Sequence, residues 1–581
     1  MSIWHGSLTT WLDGPFGCLV GHSVNRIFAG SESAEPGELD LGIGTVLAIL
    51  AAPGAFVALT LSDRYGSLLR FIRGEQVAFN PYVVSVSDEY FFIVLAMVIA
   101  AAVAVWKWDR LLPDRRDFQN LSPLPISGRT IFLANISAIL LLAALLSLDV
   151  NAVSCVLFPA VVTFQSSFPV FLTFTATHAA TVLLAGAFGF LSVFAVMGAM
   201  MSILPYHLFR KSSFFVRCAL LFCLAALLST GFSVPQKFSA LGRIRRPWAA
   251  VPPPAWFLGL CESMRKSGGP IFGSLAAAAV WALTLVFVLA LAAFSSSFRR
   301  SYLRSAEFTE SRPSSGSPAS LLFRGLDKVL LKNAFDRGCY RFALRTIFRS
   351  QEHAFIFGMF GTVGVVLASQ ALIPALGEHV PATGLFPSTQ ILAIPFIVGF
   401  FLILGLYAAF SVPAPLRSNW VFRFNVDPQT SQGASLARKI VYTFLVPLLF
   451  APCLIAYSHV WGWEVGILHT ALVAAWCALL LEGLLVKFRK IPFTCSAPGF
   501  KSHAIVTALI FLLGYFGFTS VTAEVEHWAL GDPVLFTGFL PIAIGISFLF
   551  YRQRKGLIDS DRRVTFEDKS APVVEAMNLV R

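Results

Sequence analysis

Polar side chains inside long apolar runs are the first candidates for chemistry, because lipid offers them no hydrogen-bond partner. The sequence places Asn135, Asp149, Asn151, His178, His469 and Glu482 in or at the ends of such runs. A histidine there could carry protons, but interhelical hydrogen bonding is the commoner role and is expected for His178 and His469. Asp149 is expected to face the outer interface. Glu482 is expected to reach the inner interface or to pair locally with Lys487. No group of acids repeats across the runs as a proton-driven carrier needs.

A polar segment with the sequence DRRDFQNLSPLPISGRTIFLANI lies between two apolar runs, at residues 114–136. Its prolines fix a sharp entry into the following helix, and Ser127 is placed to cap that helix. Its charges offer complementarity to a soluble partner. The candidate partner-binding residues are therefore Arg115, Arg116, Asp117, Leu121, Pro123, Pro125, Ser127 and Arg129.

This segment resembles the cytoplasmic loop of type-2 ABC exporter permeases, in which a charged stretch leads to a Leu-x-x-x-Pro-[IV]-[ST]-x-x-x-[IL] pattern opening the third helix. The matching residues are Leu121, Pro125, Ile126, Ser127, Arg129, Ile131 and Leu133. The resemblance implies a short coupling helix that rests on a separate ATP-binding subunit, and an amphipathic elbow helix before each six-helix unit. The second half carries APLRSNWVFRFNVDPQTSQGASLARKIV at the corresponding place and lacks the Leu-Pro pattern.

The composition is that of a membrane protein, since 56% of the 581 residues are hydrophobic and 13% are charged. Apolar runs of about 20 residues, enough to cross a hydrocarbon core of roughly 30 Å, predict an all-α polytopic transmembrane bundle of about 12 helices in two six-helix halves. The runs are 41–61, 90–106, 131–148, 177–203, 215–234, 272–294, 354–376, 388–411, 440–457, 464–484, 503–521 and 534–551. A further run, 152–171, is interrupted by Pro159, Gln165 and Pro169 and predicts a re-entrant or interfacial piece.

The distribution of Lys and Arg predicts the orientation. In the second half, loops 377–387, 458–463 and 522–533 contain neither residue, whereas the alternate loops and the segment after the last run are basic. By the positive-inside rule the C-terminus is cytoplasmic, in a multi-pass protein of the cell membrane. The first half follows this rule less closely, because its expected outer loops also hold basic residues.

The predicted segments are an N-terminal segment (1–40), a first membrane half (41–294), a basic cytoplasmic linker (295–352), a second membrane half (353–551) and a cytoplasmic tail (552–581). Within the linker, residues 325–348 alternate apolar and basic side chains at helical spacing. This pattern predicts an amphipathic helix on the bilayer surface, with Lys328, Lys332, Arg341 and Arg345 reaching lipid phosphate.

Several other sites are excluded by the sequence. It contains no GxxxxGK[ST] phosphate-binding loop, so ATP hydrolysis by this chain is not expected. Its nine cysteines form no CxxC pair, so neither a disulfide framework nor a metal site is indicated, and no cofactor is expected. The net charge of +13 fits basic helix flanks rather than nucleic-acid binding. The stretch LSDRYGSLLRFIRG resembles the major-facilitator loop only weakly, because the upstream glycine is absent and Ser67 and Leu68 replace a basic pair.

These observations predict the permease component of an ABC-type exporter, not itself an enzyme, whose partners are a separate ATP-binding subunit and membrane lipid. Two alternatives stay open. A secondary transporter of major-facilitator-like layout would be favoured by a mid-membrane acid or base that faces a cavity. A membrane-embedded enzyme or scaffold without transport activity would be favoured by a cluster of His, Asp or Glu at one interface.

Overall fold

A computed structural model describes residues 14–28, 54, 81–113, 117, 120–121, 123–164, 166–233, 252–265, 270–304, 334–377, 387–414, 421–422, 424, 433–486, 488, 490–494, 511, 513–530 and 533–560. Within these ranges the chain forms helices and no strand. Nine of the described helical stretches are long and apolar enough to cross a membrane. The protein is therefore an all-α, multi-pass membrane protein, as the sequence predicts.

The nine stretches coincide with nine of the predicted runs, from 90–106 to 464–484. Of the other three, 41–61 lies almost wholly outside the described residues, and 503–521 is described only at 511 and from 513 onward. The run 534–551 falls within a long helix that is not among the nine. By its internal contacts the chain divides into unit 1, Met1–Glu310 with Pro572–Arg581, and unit 2, Ser311–Ala571.

Unit 1 is organised around one long central helix. Its helices are α1 (Pro15–Phe28), α2 (Pro81–Trp106), α3 (Gly128–Asn151), α4 (Ser154–Val162), α5 (Phe168–Ile203), α6 (Tyr206–Ser233), α7 (Pro253–Met264) and α8 (Pro270–Arg304). Helix α5 packs against α2, α3 and α8, and α7 packs against α2 and α8. Aromatic side chains fill the space between them, including the fully buried Phe92, Phe158 and Phe257. The interrupted run 152–171 forms α4, a break, and the start of α5 at Phe168.

Unit 2 has a comparable arrangement. Its helices are α9 (Ala334–Arg349), α10 (Gln351–Gly377), α11 (Thr389–Phe410), α12 (Gly433–Leu445), α13 (Ala451–Trp461), α14 (Trp463–Leu485), α15 (Thr522–Leu530) and α16 (Pro533–Ser560). A π-helical turn, Val446–Phe450, joins α12 to α13, and another, Gly517–Val521, leads into α15. The first turn contains Pro447, which has no backbone N–H to donate to the regular helical ladder.

The helix contacts within unit 1 resemble the helix contacts within unit 2. In unit 1, α2 contacts α5, α6 and α7, while α5 also contacts α8. In unit 2, α11 contacts α14, the π turn Gly517–Val521 and α15, while α14 also contacts α16. In these contacts α2, α5, α7 and α8 follow a pattern similar to that of α11, α14, α15 and α16, although α7 packs against α5 and the packing of α10 against α11 has no counterpart among them.

Gly189 on α5 lies directly against the backbone of α2, and it provides a test of this packing. A Cβ at Gly189 would lie 2.5 Å from the carbonyl oxygen of Met97 on α2. We expect Gly189→Val to lower the free energy of unfolding by about 1–3 kcal/mol, because backbone on both sides must move. The control is Gly273→Val on α8, where an added Cβ meets nothing within 4 Å. Thermal unfolding in detergent compares them, and equal melting temperatures would contradict the close approach.

Candidate functional site

The predicted partner-binding segment forms a turn with one buried side and one exposed side. Leu121 is buried with residues of α1 and α3, and Leu124 and Ile126 pack against the same cluster. The alternate residues of the turn, and the start of α3, are exposed. These residues, named here the exposed ridge, are Pro123, Pro125, Ser127 and Arg129. Arg115 and Arg116 lie outside the described residues.

Short local hydrogen bonds hold the ridge in place. The backbone N–H of Ile126 donates to the carbonyl of Leu124 at 2.7 Å. Ser127 has an extended backbone conformation, and its Oγ accepts a hydrogen bond from the Thr130 N–H at 3.2 Å, so it caps α3 as predicted. The apolar side of the turn and the cap together fix the direction in which the ridge points.

Helix α1 packs behind the turn; its own residue pattern did not predict it, although the resemblance implies an elbow helix before the first unit. Arg26 on α1 donates to Asp117 Oδ2 at 2.6 Å and to Asn135 Oδ1 at 3.2 Å. Ser23 donates to the same Asn135 oxygen at 3.2 Å, and the Asn135 amide donates to the Ile131 carbonyl at 2.9 Å.

Two sequence-based expectations change as a result. Asp117 was expected to face a soluble partner, but its side chain is only 12% exposed and its carboxylate is bound inward by Arg26. Asn135 was singled out as an intramembrane polar candidate, and its side chain serves to join α1 to α3. Further along α3, Asn151 donates to the Ser147 carbonyl at 2.8 Å.

A cluster of ionisable groups is buried in unit 1 between α2, α5 and α7. Glu89 on α2 and His178 on α5 have side chains that are 0% and 1% exposed. Arg265, which follows α7, pairs through Nη2 with Glu89 Oε1. Its Nε donates to Thr177 Oγ1 at 3.0 Å, and its Nη1 lies 3.5 Å from Glu262 Oε1.

Aromatic rings enclose this cluster. The Arg265 guanidinium lies over the Phe174 ring, 3.6 Å from its centroid, an arrangement that stabilises a desolvated cation. The rings of Phe92 and Phe158 lie 5.7 Å and 5.0 Å from that of His178. Burial lowers the pKa of Arg265, but the Glu89 carboxylate outweighs burial and the net pKa is raised, so the guanidinium stays charged.

Two buried atoms of the cluster in unit 1, Glu89 Oε2 and His178 Nε2, form no hydrogen bond within the described part of the chain. His178 Nδ1 lies 3.8 Å from Glu89 Oε1, too far for the interhelical hydrogen bond that was predicted. The site could therefore accept a proton or a hydrogen-bond donor.

This cluster was not predicted from the sequence, which indicated only that no group of acids repeats across the apolar runs. Glu89 stands one residue before the apolar run 90–106, and Glu262 with Arg265 lies in a segment taken for an outer loop. The available signal was the Glu-x-x-Arg spacing beside the apolar stretch AWFLGL, which places both charges on one helix face.

Unit 2 buries a simpler pair. His469 on α14 meets Glu526 on α15 with Nδ1 and Oε1 2.7 Å apart, and both side chains are 0% exposed. This is the interhelical hydrogen bond predicted for His469. The Tyr457 ring lies 4.3 Å from the imidazole, and Phe396 approaches it edge-on.

The two buried histidines lie on helices with similar contacts. His178 lies on α5 and His469 on α14. Each is met edge-on by a phenylalanine from a neighbouring helix, Phe92 at 5.7 Å and Phe396 at 5.9 Å. The partners of the two glutamates differ. Glu89 pairs with the permanently charged Arg265, whereas Glu526 pairs with the His469 imidazole.

Glu482 near the end of α14 forms a second charged group in unit 2. Its Oε1 lies 2.6 Å from Arg438 Nε on α12, and its Oε2 accepts a hydrogen bond from Arg554 Nη1 on α16 at 2.6 Å. The predicted partner, Lys487, lies outside the described residues. Two arginines that are distant in the sequence therefore pair with Glu482.

In the ranges that the structure describes, no three His, Cys, Asp or Glu side chains are grouped so as to hold a metal ion. Neither a protein-family model, nor a curated protein, nor a solved structure matches this chain.

The Glu89–Arg265 pair is expected to be essential for the stability of unit 1. Arg265→Gln leaves a buried carboxylate without its cation, and we expect a loss of roughly 3–5 kcal/mol in the free energy of unfolding. The double variant Glu89→Gln/Arg265→Gln removes both charges and should regain part of that loss. Arg129→Gln, on an exposed side chain in the same unit, is the control and should change stability by less than about 1 kcal/mol.

Chemical unfolding in mixed micelles measures all four proteins. A double variant no more stable than Arg265→Gln, or a single variant as stable as the control, would contradict the pairing.

Proposed function

We propose that this chain is the permease component of an ABC-type exporter that works with a separate ATPase. The observation that carries the proposal is the exposed ridge, which is open to a partner on one side and braced on the other. Leu121, Leu124 and Ile126 anchor its apolar side, and the ion pair between Arg26 and Asp117 ties the turn to α1. A turn fixed in this way transmits the movement of a bound partner to α3 instead of deforming locally.

The path from the ridge into the unit is short. The ridge runs directly into α3, which packs against α5. There the Ser147 hydroxyl on α3 donates to the Leu183 carbonyl on α5 at 3.1 Å. Because α5 carries His178, movement of the ridge reaches the buried charge cluster through two rigid helices.

Two amphipathic helices further support the proposal. Helix α1 precedes the long helices of unit 1 and buries Leu19, Ser23 and Ile27. Helix α9 precedes those of unit 2, buries Tyr340 and Leu344 and keeps Arg341 and Arg345 exposed. These are the positions at which the resemblance implies an elbow helix. The proposal includes about 12 spans in two halves, a cell-membrane location and a cytoplasmic C-terminus.

The ridge is expected to determine whether an ATPase remains bound. Affinity purification of the full chain in mild detergent should co-purify an ATP-hydrolysing subunit. Pro123→Ala/Pro125→Ala loosens the turn, and Arg129→Glu reverses the exposed charge on the ridge. Either change should reduce the co-purified ATPase by roughly tenfold, equivalent to about 1.4 kcal/mol of binding free energy.

Arg552→Glu, which reverses an exposed charge on α16 of unit 2, is the matched control and should retain the ATPase. Size-exclusion elution and melting temperature establish that each variant is folded. A well-folded wild-type chain that brings down no ATPase would refute the proposal.

A secondary carrier is the second candidate, favoured by the buried pairs His178–Glu89 and His469–Glu526. Carriers use such acid and base groups to couple transport to protons. This candidate predicts that the purified chain, reconstituted without an ATPase, takes up protons into vesicles under a membrane potential. It also predicts that Glu89→Gln or Glu526→Gln abolishes that uptake.

A further inference from the structure

We propose that an apolar groove on unit 2 binds a phospholipid with an anionic headgroup, with an acyl chain in the groove and the phosphate beside the Arg438–Glu482–Arg554 triad. The groove has a volume of about 570 Å³ and is lined by residues of α11, α14, α16 and the helical stretch 513–530. This volume is within the range of small-molecule sites. The proposal is independent of the ATPase.

The shape of the groove matches an extended hydrocarbon chain. Phe511, Gly514, Phe518, Val521 and Val525 all line it. Four of these residues, from Gly514 to Val525, lie in the helical stretch 513–530, which includes the π turn Gly517–Val521. The groove therefore follows this helical stretch for about three turns.

Three glycines, which have no side chain, widen the groove. Gly514 and Gly517 both line it, and a Cβ added at either would meet nothing within 4 Å. A Cβ at Gly483 on the opposite wall would reach only the Phe550 ring, at 4.0 Å. None of these glycines has a positive φ, so no special backbone conformation requires them. The space that they leave suits an apolar chain from the surrounding bilayer.

One end of the groove adjoins the charged triad. Gly483 lines the groove and directly follows Glu482. Phe550 also lines it, and Arg554 lies four residues further along α16, on the same helix face. An acyl chain in the groove would thus place its headgroup near the two arginines.

The triad carries an excess positive charge suited to phosphate. Two guanidinium groups face one carboxylate. The Arg438 side chain is 27% exposed, and its Nη2 has no hydrogen-bond partner among the described residues. Guanidinium groups form strong, directional hydrogen bonds to phosphate oxygens. Because this end of α14 precedes a basic loop, it is expected at the cytoplasmic leaflet, where anionic lipids are concentrated.

Photocrosslinking in lipid nanodiscs tests the site. The full chain is reconstituted with a trace of phosphatidylglycerol carrying a diazirine in its acyl chain, and a parallel sample receives the phosphatidylcholine analogue. After irradiation and digestion, adducts of the anionic probe are expected on peptides covering 476–484 and 511–525. Gly517→Leu and, separately, Gly514→Leu should lower that yield by roughly tenfold, because the new side chain displaces the acyl chain from its apolar contacts.

Gly545→Leu is the matched control, since Gly545 lies on exposed α16 and an added Cβ there also meets nothing within 4 Å. It should leave the yield unchanged. Arg438→Gln, which keeps the Arg554–Glu482 pair, should reduce the preference for the anionic over the zwitterionic probe by roughly fivefold.

Melting temperatures identify any variant that misfolds. If one of the two leucine variants misfolds, the result from the other one is used. Adducts spread evenly over all lipid-facing helices, or unchanged in both leucine variants, would overturn the acyl-chain site. Equal labelling of the wild-type protein by both probes would overturn the anionic headgroup.

Discussion

The packing of this protein depends on how buried carboxylates are neutralised. A charge removed from water without a partner costs several kcal/mol, and lipid supplies no alternative hydrogen bonds. Glu89, Glu482 and Glu526 each meet a cation or imidazole from a different part of the chain. Because a misplaced helix would leave such a carboxylate unpaired, these pairs select among the many ways in which similar apolar helices could pack. Hydrophobic contact supplies the attraction between the helices, and the pairs supply the specificity.

The same principle operates at the exposed ridge, close to water. Asp117 and Arg26 are separated by 91 residues, yet their 2.6 Å contact fixes α1 against the turn that precedes α3. If only the apolar contacts of Leu121 held the turn, the turn could shift along α1, because hydrophobic contacts have little directionality. The ion pair and the Asn135 amide remove that freedom. Stiffness on the inner side and exposure on the outer side together make the ridge suited to mechanical coupling.

Hydropathy predicted most membrane helices well, because a continuous apolar run of sufficient length has few alternatives in a bilayer. The Ser127 cap was likewise predictable, since it depends only on neighbouring residues. The partners of Glu482 were not predictable, because Arg438 and Arg554 are 44 and 72 residues away and nothing local distinguishes them from Lys487. Helix α1 was missed because its apolar face, Leu19, Ser23 and Ile27, is short and contains a serine. Sequence reasoning thus succeeded where local pattern determines structure and failed where long-range pairing does.

The buried histidines of the two units belong to chemically different groups, and the difference has a physical consequence. A carboxylic acid and an imidazole can both become neutral by sharing one proton, so the His469–Glu526 pair can remain hydrogen-bonded without net charge separation. A guanidinium cannot be deprotonated in a protein, so Arg265 keeps its charge in every state of Glu89. Unit 1 therefore has a permanent electrostatic anchor beside α5, the helix that the ridge reaches through α3. In unit 2 the proton of the His469–Glu526 pair can lie on either partner, so the hydrogen bond between α14 and α15 persists whichever group carries the proton.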